Sequence, residues 1–463
     1  MRAPAIIILV CALGCGDDLA PEAPPGDFDS VEFAPYPGWP AGVGVREVGS
    51  AFRTLATKVE LDPQGRVWLL RSDWHEDSQD LGSPVLERYN PNGRLERRVA
   101  ISDQALVPDF VVHPSGELSV FVLEPEAMAG RYRLEIVRVS ADGEILSRTE
   151  FHDTAGPGEN LYYDDTGVHT FATDGPLRFG YRAHVVGLAD GEGLYLLAWT
   201  YGVKLYKLSA DYAETWDTQI MPANLGMTFS FIDELLATDE DGGIYVASQI
   251  FEDDVHVFND HFQRGSLEPV DSYDVLVERF DPDGTFAHAA VFGGPGGDAP
   301  TGMTARSGKV LVTGSARITK FDRPNRTREW DLFVLRGDLD DGSLESYSPI
   351  DLARDDFGWA MAEAADGTIY IAGRNDYVQV DTNSEVEDGK GLLLALSPDL
   401  SERATLSLIG PRDVQLLALR LATDGRLVFA GLRNGPLTHT DRAMHNNEGV
   451  LGATTLALPS AVP

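Results

Sequence analysis

Cysteine is almost absent from this chain of 463 residues: two occur, Cys11 and Cys15, both at the extreme N-terminus. The remainder therefore lacks a disulfide framework, a thiolate metal site and a cysteine nucleophile. Long hydrophobic runs are missing too. Ala5 to Ala12 is too short to span a bilayer, which takes about 20 apolar residues, and no later segment qualifies. Positive charge is scarce, with 37 Lys and Arg against 73 Asp and Glu, a formal charge of −36. Such a chain has no electrostatic footprint for nucleic acid and is repelled by anionic membrane surfaces. Catalytic signatures are also lacking: there is no Gly-x-Ser-x-Gly elbow, Walker loop or His-Glu-x-x-His.

What the chain has in quantity is a short turn closing on Gly. It reads Asp62-Pro-Gln-Gly65, Pro114-Ser-Gly116, Asp239-Glu-Asp-Gly242, Arg306-Ser-Gly308, Asp366-Gly367 and Asp424-Gly425. A second set is interleaved: Asn90-Pro-Asn-Gly93, Ala141-Asp-Gly143, Asp281-Pro-Asp-Gly284 and Asp340-Asp-Gly342. Asp-Gly and Asn-Gly accept φ > 0, so each copy predicts two antiparallel strands joined by a tight two-residue turn. The flanking segments alternate apolar and polar residues, as strands do. Asp-Gly turns also imitate calcium loops, but Ala237 and Arg279 stand where the first ligand is required.

Two hairpins make one four-stranded propeller blade. Paired hairpins fall at 55–101, 109–151, 183–220, 233–292, 301–350 and 359–410, and a seventh set begins at 416 and ends at 458, one strand short. A spare apolar stretch, Gly42 to Val48, lies at the other end of the domain. The expected fold is all-β: a seven-bladed propeller whose N-terminal strand, near 42–49, pairs antiparallel with the strand containing Val450 to Leu458. Eight blades or a two-sheet sandwich are the rivals. Closing the ring removes a free sheet edge, and a monomer is expected. With 43% hydrophobic residues, the domain at 41–463 can bury a large core.

The N-terminus reads MRAPAIIILVCALGC. Arg2 is a short positive region, Ala5 to Ala12 an apolar one, and Ala12-Leu-Gly-Cys15 a cleavage site. This resembles a bacterial lipoprotein signal, with Ala12 where that motif usually has Leu. The resemblance implies a signal peptide over 1–14, a lipidated Cys15 and a membrane anchor in the cell envelope, on the periplasmic or surface side of the outer membrane. Residues 15–40, with Pro21, Pro24, Pro25, Pro35, Pro37 and Pro40, form a tether. Phe28, Phe33, Tyr36 and Trp39 are placed for its later part to pack on the domain.

Over residues 235–435 a second likeness enters. Val291-Phe-Gly-Gly-Pro-Gly-Gly-Asp298 precedes Val310-Leu-Val-Thr-Gly-Ser315, with Asp274-Val-Leu-Val-Glu-Arg-Phe-Asp-Pro-Asp-Gly284 and Thr368-Ile-Tyr-Ile-Ala-Gly373 in matching registers. This resembles the SBBP-type β-propeller repeat of extracellular bacterial proteins. It implies a propeller and an extracytoplasmic life, and transfers no catalytic residues.

Connections within hairpins are short. Those between hairpins and blades are long: 72–84, 152–183, 221–234, 251–273, 316–331, 374–390 and 433–448. The two sets emerge on opposite faces, so the long-connection face is the candidate site. Its candidate contacts are Trp74, Tyr162, Tyr163, Phe171, Tyr181 and Trp199, rings that stack on sugars or anchor a protein partner, and that equally plug a channel mouth. Asp254, His256, Asp260 and His261 are competent metal ligands in no recognised spacing, as are His439, Asp441 and His445. Asp351, Asp355 and Asp356 are opposed acids able to take a divalent cation. No cofactor beyond such a cation is expected. The sequence thus reads as a lipid-anchored binding or scaffolding module for an envelope protein or glycan. The alternative is an extracytoplasmic propeller enzyme acting on a carbohydrate or ester.

Overall fold

The computed structural model describes residues 32–35, 39–48, 53–74, 83–103, 105–125, 131–151, 159–164, 167–172, 179–180, 185–190, 193–199, 202–222, 235–250, 274–294, 296–318, 329–339, 342–352, 355–377, 389–409, 413–433 and 448–458. Strands form seven antiparallel blades, and among the described residues there is no helix. Blade one runs outward from Arg53–Leu61 through Val67–Trp74 and Ser83–Tyr89 to Leu95–Ala100. The innermost strands of blades two to seven are Leu106–Val112, Val185–Ala189, Leu236–Thr238, Gly297–Arg306, Asp355–Glu363 and Val414–Leu421. Each lies beside the next, and the last returns to the first, so the ring is closed.

The seventh blade is completed from the other end of the domain. Gly44–Val48 pairs antiparallel with Glu448–Thr454, in a register that sets Gly44 opposite Ala453 and Val48 opposite Gly449. Ala34–Pro35 adds a short fifth strand outside it. The tether aromatics pack as expected where they are described. Trp39 is buried against Phe429 and donates its indole N–H to the Ile409 carbonyl (3.0 Å), while Phe33 lies over the junction of blades one and seven. Phe28, Tyr36 and Cys15 lie outside the described residues.

The core is divided among the gaps between blades. Leu332 and Val334 of blade five meet Ile369, Ile371 and Leu392 of blade six; Leu70 and Leu86 of blade one meet Val120 and Val137 of blade two. Second strands, covered on both faces, are nearly continuous apolar runs such as Leu118–Pro125. Outermost strands such as Ile145–Glu150 are largely exposed.

Most turns differ from the two-residue form expected. At Asp62 to Gly65 the Gly65 amide donates to the Asp62 carbonyl (2.8 Å) and the Asp62 amide to the Arg66 carbonyl (3.0 Å); only Gly65 has a positive φ, 74°. This is a type I turn closed by a glycine bulge. Only the last turn residue is glycine, so those before it stay right-handed; at Asp62 the carboxylate reinforces the turn by accepting the Gln64 and Arg66 amides, both at 2.9 Å. The same backbone pattern recurs at Asn90, Ser140, Asp281 and Ala422. Ser307-Gly308 is a true two-residue turn, with φ of 48° and 79° between the paired Arg306 and Lys309.

Polar ties cross the blade boundaries. His113 Nε2 lies 2.7 Å from Ser119 Oγ, which lies 2.9 Å from the Tyr212 hydroxyl of blade three. Tyr212 occupies the position glycine takes in other turns, at φ 64°, so this bond holds a strained residue in place. Gln249 of blade four donates to the Asp298 carbonyl of blade five (2.9 Å), and Arg374 of blade six pairs with Asp413 beside blade seven (2.9 Å).

Trp39→Ala, which empties the pocket beneath the closing strand, is expected to cost about 3–5 kcal/mol in urea unfolding. Leu344→Ala, on an exposed outer strand, should stay within about 0.5 kcal/mol. Burial lowers the His113 pKa from 6.5. Its contribution is therefore complete above 6.5 and lost as pH falls from there towards the lower folded value. Thermal melts should show wild type losing stability just below pH 6.5 faster than His113→Gln.

Candidate functional site

Blades seven, one and two bring four charged side chains into the central channel. Lys58 and Glu60 share one side of an inner strand, two residues apart. Asp109 stands on the inner strand of blade two and Arg420 on that of blade seven. In each case a bulge interrupts the pairing just upstream, between Ala56 and Lys58, Leu106 and Asp109, and Leu416 and Ala418. A bulge increases local twist and re-aims the residues beyond it.

The four groups form one chain of contacts across the ring. Arg420 donates from Nε and Nη2 to the two Glu60 carboxylate oxygens, the former at 2.9 Å. Lys58 Nζ lies 3.6 Å from Glu60 and in direct contact with Asp109. Asp109 in turn accepts the Gly187 amide of blade three (2.8 Å) and the Phe110 amide (2.7 Å). Blades seven, one, two and three are thereby linked in sequence. Burial alone would raise the Glu60 pKa, but Arg420 and Lys58 outweigh it and hold the group below the ordinary range. Burial dominates at Asp109 and raises its pKa, in spite of Lys58 and the Gly187 amide. Two carboxylates with opposed perturbations in one cavity are the mark of an acid–base pair. Here both Glu60 oxygens are held by one guanidinium, and both Asp109 oxygens by backbone amides, which suits a tie more than a proton-transfer site.

These residues wall a cavity of about 360 Å³. Its other side is apolar: Val111, Leu188, Leu236, Met303 and Met361. The asymmetry comes from equivalent positions. Four residues before the turn-opening residue stand Lys58, Asp109 and, in blade four, Leu235; two before it stand Glu60, Val111, Leu188, Ala237 and Arg420. All line the cavity, which therefore occupies the short-turn end of the channel.

The long-connection face holds the residues singled out from sequence, in part. Trp74 and Trp199 end the second strands of blades one and three, opposite Arg53 and Val203. Tyr162, Tyr163 and Phe171 lie on an added hairpin, Glu159–Asp164 with Gly167–Ala172, beside the outer strands of blade three. The structure does not gather these with Trp74 into one described patch. Tyr181, Asp254, His256, Asp260 and His261, with His439, Asp441 and His445, lie outside the described residues.

A different aromatic group is found on this face. Trp330, Phe357 and Trp359 are half-buried, with ring centroids 6.4 Å apart for the first pair and 6.0 Å for the second, which stacks at 11°. Two residues apart on one inner strand, Phe357 and Trp359 are a pattern visible in sequence. Nearby, carboxylate oxygens of Asp331, Asp351 and Asp356 lie within 4.8 Å of one another, a separation compatible with a divalent cation. Asp355, expected to join Asp351 and Asp356, instead accepts the Trp330 amide (3.0 Å), and Asp331 takes its place.

No family model and no curated protein matches this chain. Among solved structures it is similar to BamB from Moraxella catarrhalis, at 9% identity over 88% of this chain and 99% of that one, with a TM-score of 0.38. It is similar to an α-L-arabinofuranosidase from Fusarium graminearum, at 8% identity over 92% and 97%, TM-score 0.38. It is also similar to the phage phi92 endosialidase, at 9% identity over 91% and 70%, TM-score 0.44. Values this low transfer neither ligand nor activity.

Arg420→Ala leaves the partly buried Glu60 with only Lys58, 3.6 Å away, and should cost about 2–3 kcal/mol, whereas the double change to Met at 60 and 420 should be close to neutral. The Glu60 contribution is present above its ordinary value of 4.5 and lost as pH falls below it. Glu60→Gln should therefore flatten the acid side of the stability profile, read by urea unfolding at stepped pH.

Proposed function

We propose that this chain is a lipid-anchored binding module of the bacterial cell envelope, tethered at Cys15 and engaging an envelope glycan or protein through its long-connection face. The observation that carries the reading is the Trp330–Phe357–Trp359 stack. Three half-buried rings on one face present large, rigid apolar area at little entropic cost, the kind of surface that sugar rings and protein hot spots occupy. The opposite face is held by short turns locked through their own side chains, and offers less to vary. The mutual pairing of the channel charges favours binding over the enzyme alternative. The SBBP-type resemblance and the lipoprotein-like N-terminus fit an extracytoplasmic address.

Labelled fatty acid should enter the wild-type protein in cells and be lost in Cys15→Ser. Envelope glycan fragments should quench tryptophan fluorescence saturably, and Phe357→Ala should weaken that binding by about thirtyfold, the effect of losing a hot-spot ring. Release of hydrolysed product from those fragments would favour the enzyme instead.

A further inference from the structure

The cavity at the short-turn end of the channel has features that ring closure does not explain. Ion pairs that only sew blades together have no need of an open space beside them, and well-packed apolar residues of similar volume do the same work at no desolvation cost. Here the paired charges form one wall and Val111, Leu188, Leu236, Met303 and Met361 the other, around about 360 Å³. That volume lies at the lower end of the range for small-molecule sites, which are mainly apolar with a few fixed polar groups.

The chemistry of the walls restricts the occupant. Arg420 is matched by Glu60, and Lys58 by Asp109 and Glu60. A ligand carrying net charge would bring an uncompensated charge into a space whose own charges already cancel, and burying such a charge is expensive. A hydrogen-bonding group without charge meets no such penalty. Lys58 can donate to such a group, and the Glu60 and Asp109 carboxylates can accept from it.

We propose that the short-turn end of the channel is a binding site for a small uncharged amphiphile, with a hydroxyl or amide head against the charged wall and a short aliphatic body against the Val, Leu and Met side chains. Trp330, Phe357 and Trp359 do not line this cavity, so its failure leaves the reading of the aromatic stack untouched.

The test uses the Cys15→Ser protein in detergent-free buffer and three probes of one chain length: hexanamide, hexanoate and hexylamine, titrated calorimetrically. Hexanamide should bind one-to-one, with each charged analogue weaker by about tenfold or more. Ala305→Phe, which brings a ring to the cavity wall beside the exposed turn, should abolish hexanamide binding without lowering the melting temperature. If that variant fails to fold, Leu188→Ser serves in its place and should weaken hexanamide by about tenfold, the loss of apolar contact with the aliphatic body. Three results would overturn the proposal: no hexanamide binding up to about 10 mM, equal binding of all three probes, or binding that survives both substitutions.

Discussion

A ring of blades is stable only if its last blade meets its first, and in this chain both ends of the domain are needed for that. Gly44–Val48 supplies the outer strand that blade seven lacks, so residues some four hundred positions apart share one hydrogen-bond ladder. Without it, Glu448–Thr454 would expose an unpaired edge, which sheets normally avoid. Trp39 seats the entering chain against blades six and seven, and Arg433 reaches across to Glu47 and Glu448.

The channel polarity follows from the same seam. Between blades three and six the inner strands meet through apolar side chains, and the interblade cores are continuous. From blade seven through one to three the short-turn end of the channel is tied by charged groups: Arg420 to Glu60, Lys58 to Asp109, and the Gly187 amide to Asp109. Directional bonds fix the angle between blades more tightly than apolar contact does, and the seam is where angular error from all seven blades would accumulate. The result is a channel charged on one side and apolar on the other.

The blade count, the strand order and the closing strand were legible because they depend on local signals, namely period-two alternation and Gly-closed turns. The turn type was not. A two-residue hairpin turn needs φ > 0 at both central residues, and these turns supply one glycine, so a type I turn with a glycine bulge forms instead, reinforced at Asp62 and Asn90 by their side chains. Lys58, Asp109 and Arg420 escaped notice because a lone charge in an apolar strand reads as solvent-facing. Only superposing equivalent positions from several blades places them in one channel. Phe357 and Trp359 are hidden for the opposite reason: they sit on an inner strand rather than in a long insertion, and bulges between Asp355 and Phe357 and between Gly358 and Ala360 re-aim them. Asp331 and Asp351 flank the paired Leu332 and Ile350 of blade five and meet Asp356 only across the gap to blade six, a relation no spacing in sequence conveys.

Native-state hydrogen exchange of the closing strand tests the central claim, that closure by Gly44–Val48 is part of the cooperative fold. The amides of Gly44–Val48 should exchange with the same free energy, and the same urea dependence, as those of Leu427–Arg433 in the middle of the same blade. Rapid, urea-independent exchange of Gly44–Val48, with Leu427–Arg433 still protected, would mean that the strand frays locally and that the ring holds without it.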